Sequence, residues 1–351
     1  MRIASVASAL PVHRYEQSVL SAFARDRVWN DQPEVARRIE TFFQNTQVET
    51  RHLALPLERY AELQTFGQFN DEWIRVATDL GAQAVSSALA RAGLGPRDVD
   101  AILFSTVTGV SSPSIDARLV NRLGLRPDVK RMPLFGLGCV AGASALSRAA
   151  DLVSGTRVET AVVLTIELCS LTVQRGDRSV ANLIASGLFG DGAAAAVVVA
   201  ERSRVKQGPR IAATRSVFYP DTEHVMGWNV SERGFGIVLS PEVPAVAREN
   251  VGVDVDAFLE SEGLSRGDIS AWICHPGGPK VLEAVRDALA LQDRDVEISW
   301  RSLARVGNLS SASVLFVLEQ TLADRTFAPG SHALLMAMGP GFCSELVLLR
   351  F

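Results

Sequence analysis

The chain repeats itself at nearly one spacing, and the repeats carry different reactive side chains at matching points. Gly138-Cys139-Val140-Ala141-Gly142-Ala143-Ser144-Ala145-Leu146 reappears as Gly307-Asn308-Leu309-Ser310-Ser311-Ala312-Ser313-Val314-Leu315. The stretch from Gly93-Leu94 to Ser105 is echoed by that from Gly263-Leu264 to His275. Two echoes at nearly one offset predict a duplicated domain. Halves related by a pseudo-twofold axis bring their matching points together at the seam, so Cys139, His275 and Asn308 are expected in one pocket. A nucleophile, a base and an amide donor in one pocket point to acyl transfer.

The length of 351 residues suits two such halves. With 35 basic and 39 acidic residues the formal charge is −4, and no Lys/Arg run is long enough to act as a nucleic-acid arm. A nucleic-acid partner is not expected, although a local basic patch for a nucleotide-bearing substrate stays open. The Met1-Arg2-Ile3-Ala4 start lacks a signal core, and no apolar run reaches the ~18 residues that span a membrane. The expectation is a cytoplasmic chain with no membrane span. Cys139, Cys169, Cys274 and Cys343 are widely spaced with no Cys-x-x-Cys, and the five histidines form no His-Glu-x-x-His. Free thiols, no metal and no cofactor are expected.

Apolar and small residues at helical spacing predict a helix over Asp71–Ala92, stopped at Gly93. Short apolar runs at Ala101–Phe104, Ala161–Ile166, Ala193–Val199, Ala271–Ile273, Ala333–Met338 and Leu346–Leu349 read as buried strands. They alternate with helical segments at Val140–Val153 and Ser311–Leu322, which predicts a mixed α/β chain. The Ala-rich run Ala193–Val199 leaves room for a helix layer between two sheets. The polar stretch Glu201–Gly208 is the boundary candidate, giving halves 1–205 and 206–351. Glu40–Glu62 and Pro220–Asn229 do not repeat and are read as insertions framing the site.

Cys139 follows Gly136-Leu137-Gly138 and opens a helix, so free N–H groups and the helix dipole are expected to favour its thiolate. The other three cysteines lack that setting and are read as inert. His275 ends a strand before the rigid turn Pro276-Gly277-Gly278-Pro279; a core histidine bonded to backbone is the alternative. Asn308 is placed either to cap its helix or to donate its amide to an oxyanion.

Gly-Cys-Val-Ala-Gly at 138–142, Leu-Phe-Gly-Asp-Gly-Ala at 188–193, His-Pro-Gly-Gly-Pro at 275–279, Gly-Asn-Leu-Ser-Ser-Ala at 307–312 and Met-Gly-Pro-Gly-Phe at 338–342 together resemble the type III polyketide synthases. These are the chalcone-synthase-like branch of the thiolase superfamily. The resemblance implies an α/β thiolase-like fold of two αβαβα halves in a five-layered sandwich, a homodimer, and acyl-CoA and malonyl-CoA as substrates. Cys139 is implied to accept the starter acyl group as a thioester. His275 and Asn308 are implied to bind the malonyl thioester carbonyl, promote decarboxylation and stabilise the enolate. Proximity of His275 is expected to favour the Cys139 thiolate by ion pairing. Phe189 matches the aromatic gate between the coenzyme A tunnel and the cavity, and Ser310 a cavity-lining position.

The basic coenzyme A-binding residues of the plant enzymes are matched only by Arg38, with Thr41 and Asn45 uncharged at the others. Ser112 stands where plant enzymes carry a Met that closes the partner's cavity, and Trp228 falls near a plant cavity-lining Gly. Asp221–Asn229 and Gly234–Ser240 look like bacterial members that extend fatty acyl starters to alkylpyrones or alkylresorcinols. A medium or long aliphatic starter closed to a pyrone or resorcinol is therefore expected. The alternatives are a ketoacyl-ACP synthase that initiates fatty acid synthesis, a thiolase-fold hydrolase, and a silent binding subunit.

Overall fold

The computed structural model describes every residue except Gln32 and Thr156. The echo in sequence is an echo in secondary structure. A helix, a 3-10 turn and a strand follow one another at Phe66–Ala92, Pro96–Asp98 and Ala101–Thr106, and again at Val243–Ser261, Arg266–Asp268 and Ile269–Cys274. The helix Phe66–Ala92 begins five residues before the expected start because Thr65 and Gln68 form a capping box, and it ends at Gly93 with φ 66°.

In the first half the strands run Lys130–Phe135, Ala101–Thr106, Thr160–Leu168, Asp191–Val199 and Arg2–Ala9. In the second they run Arg210–Phe218, Cys343–Arg350, His332–Gly339 and Ile269–Cys274. One pair, Arg2 and Arg210, joins the two sets at the seam. Each set is parallel at its outer edge and antiparallel toward the seam. Glu201–Gly208 connects the two halves. The edge strand Lys130–Phe135 and the seam strands Arg2–Ala9 and Arg210–Phe218 were not expected from apolar runs, because polar residues interrupt all three.

The helices Ala141–Gly155 and Ser313–Asp324 lie between the two sets of strands and touch both. Phe66–Ala92 covers one outer face, and Val243–Ser261 with Pro279–Leu289 the other. This is the five-layered thiolase-like sandwich. In Asp191–Val199 the alternation is explicit: Ala193, Ala195, Val197 and Val199 face the outer layer, and Ala194, Ala196 and Val198 the central helices. Small side chains there let both helix layers approach, and a larger residue would overpack at a cost of about 1–3 kcal/mol. The two central helices start against each other at Gly142, where a Cβ would lie 2.3 Å from the Ser311 carbonyl oxygen.

Candidate active site

Cys139 sits in the one-turn 3-10 segment Gly138–Val140 that feeds the central helix Ala141–Gly155. Gly138 makes this entry possible: its φ is +52°, and a Cβ would meet Pro340 Cδ at 2.7 Å. The second copy enters its helix later, through Ser310–Ala312, so Asn308 lies just outside the turn that in the first copy contains Cys139. Ser310 has φ +46°, a left-handed conformation that costs a non-glycine residue on the order of 1 kcal/mol or more. That conformation holds its Oγ 3.6 Å from the Cys139 thiol, which donates to it.

His275 follows the strand Ile269–Cys274. Its backbone N–H donates to the Met336 carbonyl at 2.9 Å, and its own carbonyl accepts from Gly277 at 2.9 Å. Both ring nitrogens are buried and have no hydrogen-bond partner among the described residues, so the reading of a core histidine satisfied by backbone is overturned. For Asn308 the two readings describe two ends of one side chain. Oδ1 accepts from the Ser310 N–H at 2.7 Å, as a cap does. Nδ2 donates to the Gly277 carbonyl at 3.2 Å, and the same side chain also meets the Cys139 thiol.

The electrostatics correct one expectation. Burial pushes the Cys139 thiol up to about 11, and its hydrogen bonding with Ser310 and Asn308 offsets this only in part. Burial also pushes His275 down to about 3. Burial thus favours the neutral forms of both groups and works against the expected thiolate–imidazolium pair, opposing the helix N-terminus that favours thiolate. A neutral imidazole still donates one N–H, which is what an oxyanion needs.

Cys139, His275, Asn308 and Phe189 line one cavity of about 570 Å³, with Phe42, Asn45 and Lys280 also in its wall. Phe189 also borders a second cavity of about 290 Å³, which contains Trp228, Phe235 and Cys169. Its ring thus stands between the two spaces. Arg38 is exposed on the helix Pro33–Asn45, with its guanidinium 4.9 Å from the Phe42 ring centre, and lines neither cavity. Ser112 is exposed in the loop before the helix Ile115–Leu123 and lies outside both cavities. Within one chain nothing brings it to an acyl tunnel.

Four residues of this region were not found from sequence. Glu167 is fully buried and accepts from Ser311 Oγ at 2.5 Å, Thr108 Oγ1 at 2.9 Å and the Val107 N–H at 3.1 Å. Burial raises it to about 7. Its signal was a lone acid in the apolar strand Thr160–Leu168. Asp191, raised by burial to about 6, accepts from the backbone of Ala54 at 2.6 Å and Ser170 at 2.8 Å. Arg51 donates to the carbonyls of Ser186 at 2.7 Å and Phe189 at 2.8 Å, and so holds the gate from behind. Lys280, one residue after the His-Pro-Gly-Gly-Pro motif, has no ion-pair partner among the described residues; nothing in its spacing marked it.

Comparison with known proteins agrees with the geometry. The family profile for chalcone and stilbene synthases matches with its N-terminal domain at residues 2–202 and its C-terminal domain at 210–351. A 1,3,6,8-tetrahydroxynaphthalene synthase of Streptomyces peucetius subsp. caesius is 51% identical over 99% of this chain and 93% of its own length. A putative chalcone synthase of Bacillus subtilis (strain 168) is 35% identical over 99% of this chain and 98% of its own. Among solved structures, the 1,3,6,8-tetrahydroxynaphthalene synthase of Streptomyces coelicolor A3(2), a bacterial type III polyketide synthase, superimposes with a TM-score of 0.94. It is 30% identical, covering 100% of this chain and 99% of that one.

Proposed function

The chain belongs to the chalcone and stilbene synthase family and is a type III polyketide synthase, an acyltransferase; on that premise we propose that it both primes and extends with malonyl-CoA and releases a polyhydroxynaphthalene. The observation that carries the reading is the 51% identity, over nearly the whole chain, to a tetrahydroxynaphthalene synthase. Both ends of the ten-carbon skeleton in that product lie within rings, so the starter-end carbon must itself form a C–C bond. A malonyl end supplies that nucleophile by losing CO₂, which an alkyl end cannot do. Five malonyl-CoA molecules balance to one such skeleton, five CO₂, five free coenzyme A and one water.

In this reading the Cys139 thiol attacks the thioester carbonyl. The new C–S bond forms, the coenzyme A thiolate leaves, and His275 relays the thiol proton to it. Because the resting thiol is neutral, its deprotonation is coupled to attack. A second malonyl thioester then places its carbonyl oxygen at His275 and Asn308 Nδ2. The bond to the carboxylate breaks, CO₂ departs, and the electron pair passes to the α-carbon and thioester oxygen, where those donors stabilise it. The α-carbon attacks the acyl group on Cys139 and expels the thiolate. Lys280 and Arg38, beside the wall formed by Phe42 and Asn45, meet the phosphates of coenzyme A. The chain works as a homodimer.

A long alkyl starter has less support. Ser112 lies outside both cavities, and Trp228 with Phe235 crowds the space behind Phe189. The deciding experiment gives the purified protein labelled malonyl-CoA alone. A naphthalene product carrying label from every unit is expected. No product from malonyl-CoA alone, with pyrones formed once fatty acyl-CoA is added, would reverse the starter assignment.

A further inference from the structure

The cavity behind Phe189 holds three arginines, Arg51, Arg27 and Arg175, and no carboxylate lines it. Arg51 is spoken for: its Nε donates to Gln17 Oε1 at 3.0 Å and its Nη1 to the carbonyls of Ser186 and Phe189. The other two are different. Arg175 lies in the segment between the 3-10 turn Cys169–Thr172 and the helix Val180–Leu188, where it is partly buried and donates one Nη to the Tyr60 carbonyl. Arg27 stands in the π-helical turn Ala24–Val28. Neither forms an ion pair with any described residue, and the neighbouring Asp26 is engaged by Arg25 at 2.7 Å. The rest of the wall is largely apolar, with Trp29, Trp228, Phe235 and Ile237 among its side chains.

The partly buried Arg175 guanidinium beside an apolar space is costly unless something brings a counter-charge, and Arg27, exposed at the same cavity, adds a second positive charge. Burial alone lowers the Arg175 pKa, with no acidic neighbour to offset it. Phe189 lines both this cavity and the Cys139 chamber, so on the proposed function the distal end of an acyl chain carried on Cys139 is taken to reach this cavity past its ring. We infer that Arg175 and Arg27 hold a free carboxylate at the starter end of the chain carried on Cys139, and that they select carboxylate-terminated starters over alkyl ones. Arginine suits this role because its planar fork matches a carboxylate with two parallel hydrogen bonds. The inference rests on the proposed malonyl starter but does not need malonyl itself.

The test compares succinyl-CoA with butyryl-CoA, which are equal in length and differ in the terminal carboxylate. Loading onto Cys139 is read as mass added to the intact protein. The wild type is expected to load succinyl faster than butyryl, with the ratio falling as NaCl is raised. Arg175→Gln combined with Arg27→Gln should lower the succinyl-to-butyryl ratio about tenfold or more. Arg175→Lys should recover part of it. A wild-type ratio at or below one, or a ratio unmoved by salt and by Arg27→Gln alone, overturns the inference even if the double variant fails to fold. Failure of malonyl-CoA self-priming would remove the proposed starter but leave this comparison able to decide the role of the arginines.

Discussion

The backbone of Asn308 is bridged to the link that carries Phe189, between the helix Val180–Leu188 and the strand Asp191–Val199: the Asn308 N–H donates to the Leu188 carbonyl and the Gly190 N–H to the Asn308 carbonyl, each at 2.9 Å. The Asn308 side chain in the Cys139 cavity and the Phe189 ring that borders both cavities are therefore fixed to one another. They come from opposite halves of the chain. Gly190 allows the contact, since a Cβ there would lie 2.3 Å from the Val306 carbonyl oxygen.

Asn308→Ala removes a cap and a donor together, and two readouts separate them. Malonyl-CoA decarboxylation is expected to fall by about 10²–10³-fold for the donor. Chemical denaturation should show a loss of about 1 kcal/mol for the cap. A stability loss with unchanged decarboxylation would reduce Asn308 to a cap.

Cys139→Ala is expected to abolish product while retaining slow malonyl-CoA decarboxylation, because the thiol loads the acyl group and His275 with Asn308 act on the malonyl thioester. In the wild type, alkylation of Cys139 by iodoacetamide should be slow at neutral pH. It should rise about tenfold per pH unit until near the thiol's value of about 11, as followed by peptide mapping. Rapid alkylation at pH 7, with a plateau there, would restore the ion pair.

Glu167 is raised from 4.5 to about 7 by burial. Its contribution to stability is fully present below about 4.5 and is lost as the pH rises through about 7, by about 3 kcal/mol. Asp191, raised to about 6, acts in the same direction. Glu167→Gln should therefore flatten the decline of the denaturation midpoint between pH 5 and 8. An undiminished slope in that variant would mean that Glu167 is charged in the folded chain.

Lys280→Ala is expected to raise the KM for malonyl-CoA several-fold, as the loss of a partly exposed charge contact of up to about 1 kcal/mol would do. A malonyl thioester lacking the nucleotide should show no change. An equal effect on both substrates would place Lys280 at the acyl group instead.

The sequence by itself determined the duplication, the strands of the buried layers and the meeting of Cys139, His275 and Asn308 in one cavity. These are recorded locally: in apolar runs long enough to be strands, in glycines where the backbone must turn, and in motifs short enough to read along the chain. The edge strand Lys130–Phe135 and the seam strand Arg210–Phe218 escaped because one face or one end is polar, so no continuous apolar run marks them. Tertiary structure alone decided how far Cys139 and His275 are desolvated, since the helix N-terminus beside Cys139 is legible in sequence whereas its burial depends on what the other half packs over it. It likewise decided the partners of the Asn308 side chain, the place of Ser112 away from the cavities and the burial of Glu167. Each of those depends on which residues distant in sequence are neighbours in space, and only the packing of the two halves sets that.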